Sequence, residues 1–268
     1  MHFKKLILTA CAVMLLFTGL HAQRSPWSIA ASVGASFPTG KFAGKDFSDS
    51  SQSLATMGLA VDLLCDYRIN AHFGLALLLT GQDNSVNTLS IEKQMAARNL
   101  DATAIDVNSG DWMIGKVMLG PTLSLPFGKT GKWQFTARLM AGAMRTSEPK
   151  LLVQEVSELS GGFGLSGPVT EESQSYRGKV SLPWAFAYLG GVAARYAINE
   201  RWSFRVDLDY SGASVRVPDN GDRPKGSSGP SLPILTTGPP SLPPPYVRHD
   251  HLLSIASLHF SMGMEFRL

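Results

Sequence analysis

Hydrophobic and polar residues alternate along most of the chain after residue 26, a pattern typical of β-strands whose two faces meet different surroundings. In one segment Trp202, Phe204 and Val206 are separated by polar residues. The same alternation predicts eight strands, at about 27–37, 57–67, 73–79, 113–127, 133–141, 184–196, 202–210 and 252–266. Most of them reach the roughly 9–11 residues with which a tilted strand crosses a bilayer.

Charged residues within these strands all fall on the face opposite the apolar one. There are five of each sign, and we assign them to a structural charge network in the lumen: Asp62, Asp66, Lys116, Arg138, Arg195, Arg205, Asp207, Asp209, Glu265 and Arg267. Their face is poor in Lys and Glu and rich in Gly, Ala and Ser, which favours a narrow packed interior over a solvated surface. We expect three arginines to face three carboxylates there: Arg138, Arg195 and Arg205 against Asp62, Asp207 and Glu265.

Alternation alone does not decide which face points inward. A soluble, secreted lipocalin-like barrel would enclose the apolar face around a ligand. However, the five tryptophans all lie near the first position of a strand, where the aromatic girdles of membrane barrels are found. The predicted girdle consists of Trp27, Trp133, Trp184, Trp202 and Phe266, whereas Trp112 has the spacing of a lumen residue.

The connections between the strands alternate between short and long. The short ones are about 68–71, 128–132 and 197–201, and the long ones are about 38–56, 82–111, 145–183 and 212–250. This segregation is typical of outer-membrane barrels, which have tight periplasmic turns and long extracellular loops. The sequence therefore predicts an all-β fold, an eight-stranded antiparallel up-and-down transmembrane β-barrel.

Residues 1–22 have the features of a secretory signal peptide. Lys4 and Lys5 precede an apolar stretch of about 15 residues, and the small residue Ala22 lies before a predicted cut at Gln23. The stretch is shorter than the roughly 20 residues of a spanning helix, and a lipoprotein signal at Cys11 is a weaker alternative. Segment 23–268 is then the barrel domain, in the outer membrane, and Cys65 is its one cysteine.

Composition narrows the function classes. Only 17% of the residues are charged, against roughly 25% in an ordinary soluble domain. The formal charge of +3 falls to +1 without the two lysines of the leader, which gives no electrostatic case for binding nucleic acid.

Three short motifs resemble the small outer-membrane β-barrel proteins of the Bacteroidota, the PorT-like and OmpX/OmpA-like barrel group. They are residues 32–42 (SVGASFPTGKF), 119–121 (LGP) and 263–268 (GMEFRL), and the resemblance covers segment 23–268. It implies an outer-membrane location, assembly by the barrel assembly machinery and no catalytic residues. The family usually ends on an aromatic residue, whereas this chain ends on Leu268 and has Phe266 two positions earlier.

Two of the long loops carry features of their own. Residues 90–100 predict a short helix with Ser90 as its cap, Glu92 in the first turn and Ile91 and Met95 packed on the barrel rim. The segment 216–247 holds nine of the 16 prolines, which favours an extended spacer or an exposed recognition arm.

Candidate chemistry is sparse. His249 and His251 are two metal-ligand side chains without a third, and the glycine-rich residues 160–164 precede no helix, so they are not a phosphate loop. Serines near these histidines leave a rim hydrolase as a weak alternative. We therefore predict no catalytic, metal or cofactor-binding residues and no cofactor.

The sequence thus favours a non-enzymatic, monomeric outer-membrane barrel with a side-chain-filled lumen. Its expected partners are outer-membrane lipid, the barrel assembly machinery and an unidentified extracellular partner of the loops. A narrow channel, or a barrel that handles lipids or small solutes, is the alternative.

Overall fold

A computed structural model describes residues 26–46, 49, 51–98, 102–128, 131–159, 169–177, 180–217 and 251–268. The predicted leader with its cut between Ala22 and Gln23, the glycine-rich residues 160–164, most of the proline-rich segment and His249 lie outside the described residues.

The described chain is almost entirely β-structure. Its strands are β1 (Trp27–Pro38), β2 (Ala55–Arg68), β3 (Phe73–Val86), β4 (Ala102–Ser109), β5 (Trp112–Phe127), β6 (Trp133–Glu148), β7 (Leu151–Leu159), β8 (Val169–Arg177), β9 (Val180–Ser181), β10 (Ala185–Ala197), β11 (Trp202–Val217) and β12 (His251–Arg267). A 3-10 turn (Gly40–Ala43) follows β1, and one α-helix, α1 (Thr88–Arg98), follows β3. Among the residues described, no helix is both long and apolar enough to span a bilayer.

Eight strands close into an up-and-down antiparallel barrel, as predicted. Their order is β1-β2-β3-β5-β6-β10-β11-β12, and β12 pairs back onto β1, with Ala31 opposite Met264. Every strand of a closed barrel has two partners, so no backbone edge of the wall is left unpaired. The two-residue β9 only adds to the end of β6.

The two ends of the barrel differ. The short connections 69–72, 128–132 and 198–201 join strands at one end, where β1 begins and β12 ends; we name it the short-turn end. The opposite end, which carries the other four connections, is the long-loop end.

The polar face points into the barrel and the apolar face points outward. On β5, Lys116 and Met118 are 2% and 0% exposed, whereas Val117 and Leu119 are 43% and 51% exposed. This is the reverse of the lipocalin-like arrangement, in which the apolar face encloses a ligand.

At the long-loop end the strands run further than the alternation predicted, so the loops are shorter than expected. β3 continues to Val86, β6 to Glu148 and β11 to Val217. The connections also contain regular structure, because β4, β7 and β8 form a separate three-stranded antiparallel sheet. Leu54, Ile91, Val107 and Val153 pack into one apolar cluster, which joins α1 to this sheet.

The helix begins earlier than the sequence indicated. Asn87, not Ser90, is the cap, because its Oδ1 accepts a hydrogen bond of 3.0 Å from the Ser90 N–H. Glu92 therefore lies beyond the first turn, where its Oε1 accepts from the Val107 N–H at 3.4 Å. Ile91 is buried and Met95 packs beside it, but their cluster includes Val107 and Val153, so the helix packs on the three-stranded sheet as well as on the barrel rim at Leu54.

Candidate functional site: the lumen

The described residues fill the barrel interior with two layers of side chains, one charged and one mainly apolar. The charged layer is nearer the short-turn end, and Arg138 of β6 is central to it. Its guanidinium reaches across β10 to two carboxylates of β11, with Nη2 2.9 Å from Asp207 Oδ1 and Nε donating to Asp209 Oδ1 at 2.8 Å. All three side chains are nearly inaccessible to solvent.

The ion pairs continue from Asp207 toward the short-turn end. Arg205 donates from Nε to Asp207 Oδ2 at 2.8 Å and lies 3.5 Å from Glu265 Oε2. Glu265 Oε1 in turn lies 2.5 Å from Arg195 Nη1. Three arginines and three carboxylates thus alternate in one continuous chain of opposite charges, which offsets the cost of removing each charge from water.

A glycine makes the central pair possible. Gly191 of β10 lies between Arg138 and Asp209 in register. A Cβ atom at this position would lie 1.7 Å from Asp209 Oδ1, so any side chain would occupy the space of the carboxylate. The bare backbone of Gly191 therefore leaves room for the contact between strands two apart.

Lys116 continues the polar interior toward the long-loop end. Its ammonium donates to Ser211 Oγ at 2.7 Å and lies 3.2 Å from His259 Nε2. Ser257 Oγ is 2.8 Å from the same ring nitrogen. Two serines, a histidine and a lysine thus meet, but all are buried, so the arrangement offers no path for a substrate.

The remaining network residues differ from the predicted pairing. Asp209 instead of Asp62 is the close partner of Arg138 beside Asp207; the Asp62 carboxylate accepts hydroxyl hydrogen bonds from Thr80 at 2.6 Å and Ser261 at 3.5 Å. Asp66 accepts from Thr122 at 3.1 Å. Arg267 is half-buried near the short-turn end of β12.

The second layer is mainly apolar and closes the lumen at the long-loop end. Its apolar members are Phe42, Trp112, Ile114, Met144, Leu182, Val215, Leu253 and Ile255, each at most 4% exposed. The buried polar side chains Gln82, Asn84 and Thr146 are in register with Ile114 or Trp112. The Trp112 Nε1–H donates to Ser53 O at 3.1 Å, and its ring packs edge-on against Phe42 at 5.7 Å. The spacing had placed Trp112 inside the lumen, but it did not reveal the layer.

The sequence nevertheless contained a signal for this layer. After Ser211 the inward positions of β11 are Ala213, Val215 and Val217, whereas the outward positions are Gly212, Ser214 and Arg216, so the apolar residues change from the outward to the inward face. Such a change of face indicates that the strand has left the apolar surroundings of the outer wall and that its inward side chains form an apolar layer.

The aromatic residues outline the ends of the outer wall. Trp27, Trp133 and Trp202 lie at the short-turn end, where their rings contact Tyr67, Tyr196 and Phe266 at 4.7–4.9 Å. Trp184 is exposed at the other end, directly before β10. The predicted girdle residues therefore divide between the two ends.

Metal and nucleophile chemistry finds little support in the described part of the chain. No group of three or more His, Cys, Asp or Glu side chains there is arranged to hold a metal ion. Cys65 is a half-buried thiol on the outward face of β2.

No protein-family model and no curated protein matches the sequence. Among solved structures, the attachment invasion locus protein Ail of Yersinia pestis is similar over 90% of this chain and 99% of its own, with 12% identity and a TM-score of 0.39. Neisserial surface protein A is similar over 91% and 98%, with 13% identity and a TM-score of 0.39.

The outer membrane protein OprG of Pseudomonas aeruginosa is similar over 91% of this chain and 97% of its own, with 10% identity and a TM-score of 0.38. Because identity and TM-score are both this low, function has to be inferred from the residues of this chain.

Proposed function

We propose that the chain is a non-enzymatic, monomeric outer-membrane β-barrel with a closed lumen, and that it acts through the elements at its long-loop end. The observation that carries the proposal is the apolar outer wall. Leu139 and Phe186 are each 71% exposed and Val192 is 55% exposed, within a belt of apolar side chains around the barrel. A water-soluble monomer rarely exposes a continuous apolar surface of more than a few hundred Å².

The orientation follows from the loops. Outer-membrane barrels place their tight turns in the periplasm and their long connections outside the cell. On this assignment α1 and the sheet of β4, β7 and β8 face the exterior, where they are the surface for an extracellular partner.

The lumen supports a structural role over a channel. Eight strands leave an interior only wide enough for side chains, and here a mainly apolar layer lies above a chain of ion pairs. Ions would have to cross both layers, and both are filled by side chains that are nearly inaccessible to solvent.

Gel mobility tests the membrane assignment. Protein from carbonate-washed outer membranes is run in SDS with and without boiling. A shift on boiling is expected, because a closed barrel resists SDS until it is heated. Extraction by carbonate without a shift would contradict an integral barrel.

Planar bilayers test the closed lumen. We expect the reconstituted protein to show no single-channel steps. Discrete conductance steps from heat-modifiable protein would favour the narrow-channel alternative and leave the membrane assignment intact.

A further inference from the structure

A positive charge ends the apolar outer wall of β6 at the long-loop end. The outward residues of this strand are apolar from Trp133 to Ala143, and the next one is Arg145, which is exposed. The 12 residue steps from 133 to 145 span about 31 Å of barrel axis, at a rise of about 3.4 Å per residue and a tilt of about 40°. That is close to the roughly 25–30 Å of an apolar membrane layer. With Trp133 at one membrane interface, Arg145 lies at the other.

Two further side chains lie in the same row across the strands. Ala185 pairs with Met144, so Trp184 is in register with Arg145. Ala187 pairs with Ala213, so Arg216, three residues further along, is in register with Trp184. All three side chains are exposed, and the two arginines are two strand spacings apart, about 10 Å. We name Arg145, Trp184 and Arg216 the interface patch.

On the other side of Arg145, the outward positions of the two neighbouring strands in this row are glycines. Gly115 pairs with Arg145, and Gly81 pairs with Gly115. A Cβ atom on either glycine would have no atom within 4 Å, so a headgroup has access to the guanidinium from this side. Asp83, beyond the glycines, accepts from the Leu59 N–H of β2 at 3.0 Å, on the side away from Arg145.

An apolar groove continues from the interface patch toward the middle of the wall. Below Arg145 the outward residues of β6 are the small Ala143 and Ala141. Ala141 belongs to a cleft of about 470 Å³, a volume within the roughly 300–1,000 Å³ of ligand sites. Its other lining residues include Leu119, Leu139, Tyr188 and Gly190.

We propose that the interface patch and this groove bind one lipid with a phosphate headgroup. The phosphate lies on the guanidinium groups of Arg145 and Arg216, and one acyl chain lies along Ala143 and Ala141. Guanidinium groups bind phosphate through charge-assisted hydrogen bonds, and Trp184 is the side chain that favours this depth. The inference rests on the proposed membrane location, since only there does a headgroup meet this level of the wall.

Tryptophan fluorescence in vesicles tests the site, because Trp184 belongs to it. The barrel is reconstituted in phosphatidylcholine with either phosphatidic acid or phosphatidylcholine brominated along the acyl chains. We expect brominated phosphatidic acid to quench the tryptophan fluorescence at a lower mole fraction than brominated phosphatidylcholine does. The W184F variant should lose most of this preference for phosphatidic acid. The double variant R145A/R216A is expected to lower the preference roughly tenfold. R201A, an exposed arginine at the short-turn end, is the matched control and keeps it.

Two further sets of measurements distinguish the role of the phosphate headgroup from that of the acyl chain. Ala141→Leu fills the groove and is expected to weaken the preference while both arginines stay in place. Equal quenching by brominated diacylglycerol would overturn the role of the phosphate. Full relief by inorganic phosphate at low concentration would show a site for the free ion and overturn the lipid.

The boiling shift of each sample distinguishes the two proposals. A wild-type protein that does not insert as a heat-modifiable barrel contradicts the proposed function. An inserted barrel that is quenched equally by both brominated phospholipids contradicts only the lipid site.

Discussion

The central ion pair of the lumen, between Arg138 and Asp209, depends on one residue, Gly191. Its missing side chain lets Arg138 meet Asp209 across a strand, and a methyl group there would displace the carboxylate. We expect G191A to destabilise the barrel by about 3–5 kcal/mol, the usual cost of leaving a buried charge without its partner. Urea unfolding in detergent micelles measures the difference.

The neighbouring glycine is a matched control. Gly190 faces outward, and a Cβ atom there would meet only Leu139 Cδ2, at 3.5 Å, an ordinary contact. Gly190→Ala should therefore unfold like the wild type. Equal urea midpoints for the two alanine variants would mean that the central ion pair does not stabilise the barrel.

Charge reversal at Arg138 tests the network from the cationic side. R138E would place a third carboxylate beside Asp207 and Asp209, and we expect a loss of several kcal/mol in the free energy of unfolding. The same reversal at Arg201, which is exposed, should have little effect. An unchanged unfolding midpoint for R138E would argue against a packed charged lumen.

At the scale of elements, α1 is held at its start by one side chain. N87A removes the acceptor for the Ser90 N–H and should cost about 1 kcal/mol of helix stability. S90A leaves that acceptor in place and should cost much less. Hydrogen exchange of the helix amides distinguishes the two, and faster exchange in S90A than in N87A would contradict Asn87 as the cap.

The elements also show which features were readable from the sequence. Consecutive side chains of a strand point to its two faces in turn, so the alternation along the sequence located the eight barrel strands and the face on which each charge lies. Asn87 and Ser90 are equally good caps, so local preference could not choose between them. The pairing of β4 with β7 joins residues about 50 apart, and the partners of Arg138 depend on strand register; neither is present in a local pattern.

At the scale of the molecule, the barrel and the outer sheet are separable. The wall pairs its eight strands without β4, β7 or β8. Replacing 87–110 and 149–179 by short flexible linkers should therefore leave the boiling shift intact, with some loss of stability from the cluster around Leu54. Loss of the shift would mean that the outer elements are needed to close the wall.

The pairing of β1 with β12 has a consequence for the order of folding. Residues 28–38 pair with residues 257–267, so the first strand to be synthesised cannot complete its pairing until the last strand is present. Contacts between such distant parts of a chain are the slow ones, because a long loop must close before they form. Until then β1 and β11 each expose an edge that can pair with another chain. The nascent protein is therefore most prone to aggregate just before its final strand arrives, and closure is the committing step of its biogenesis.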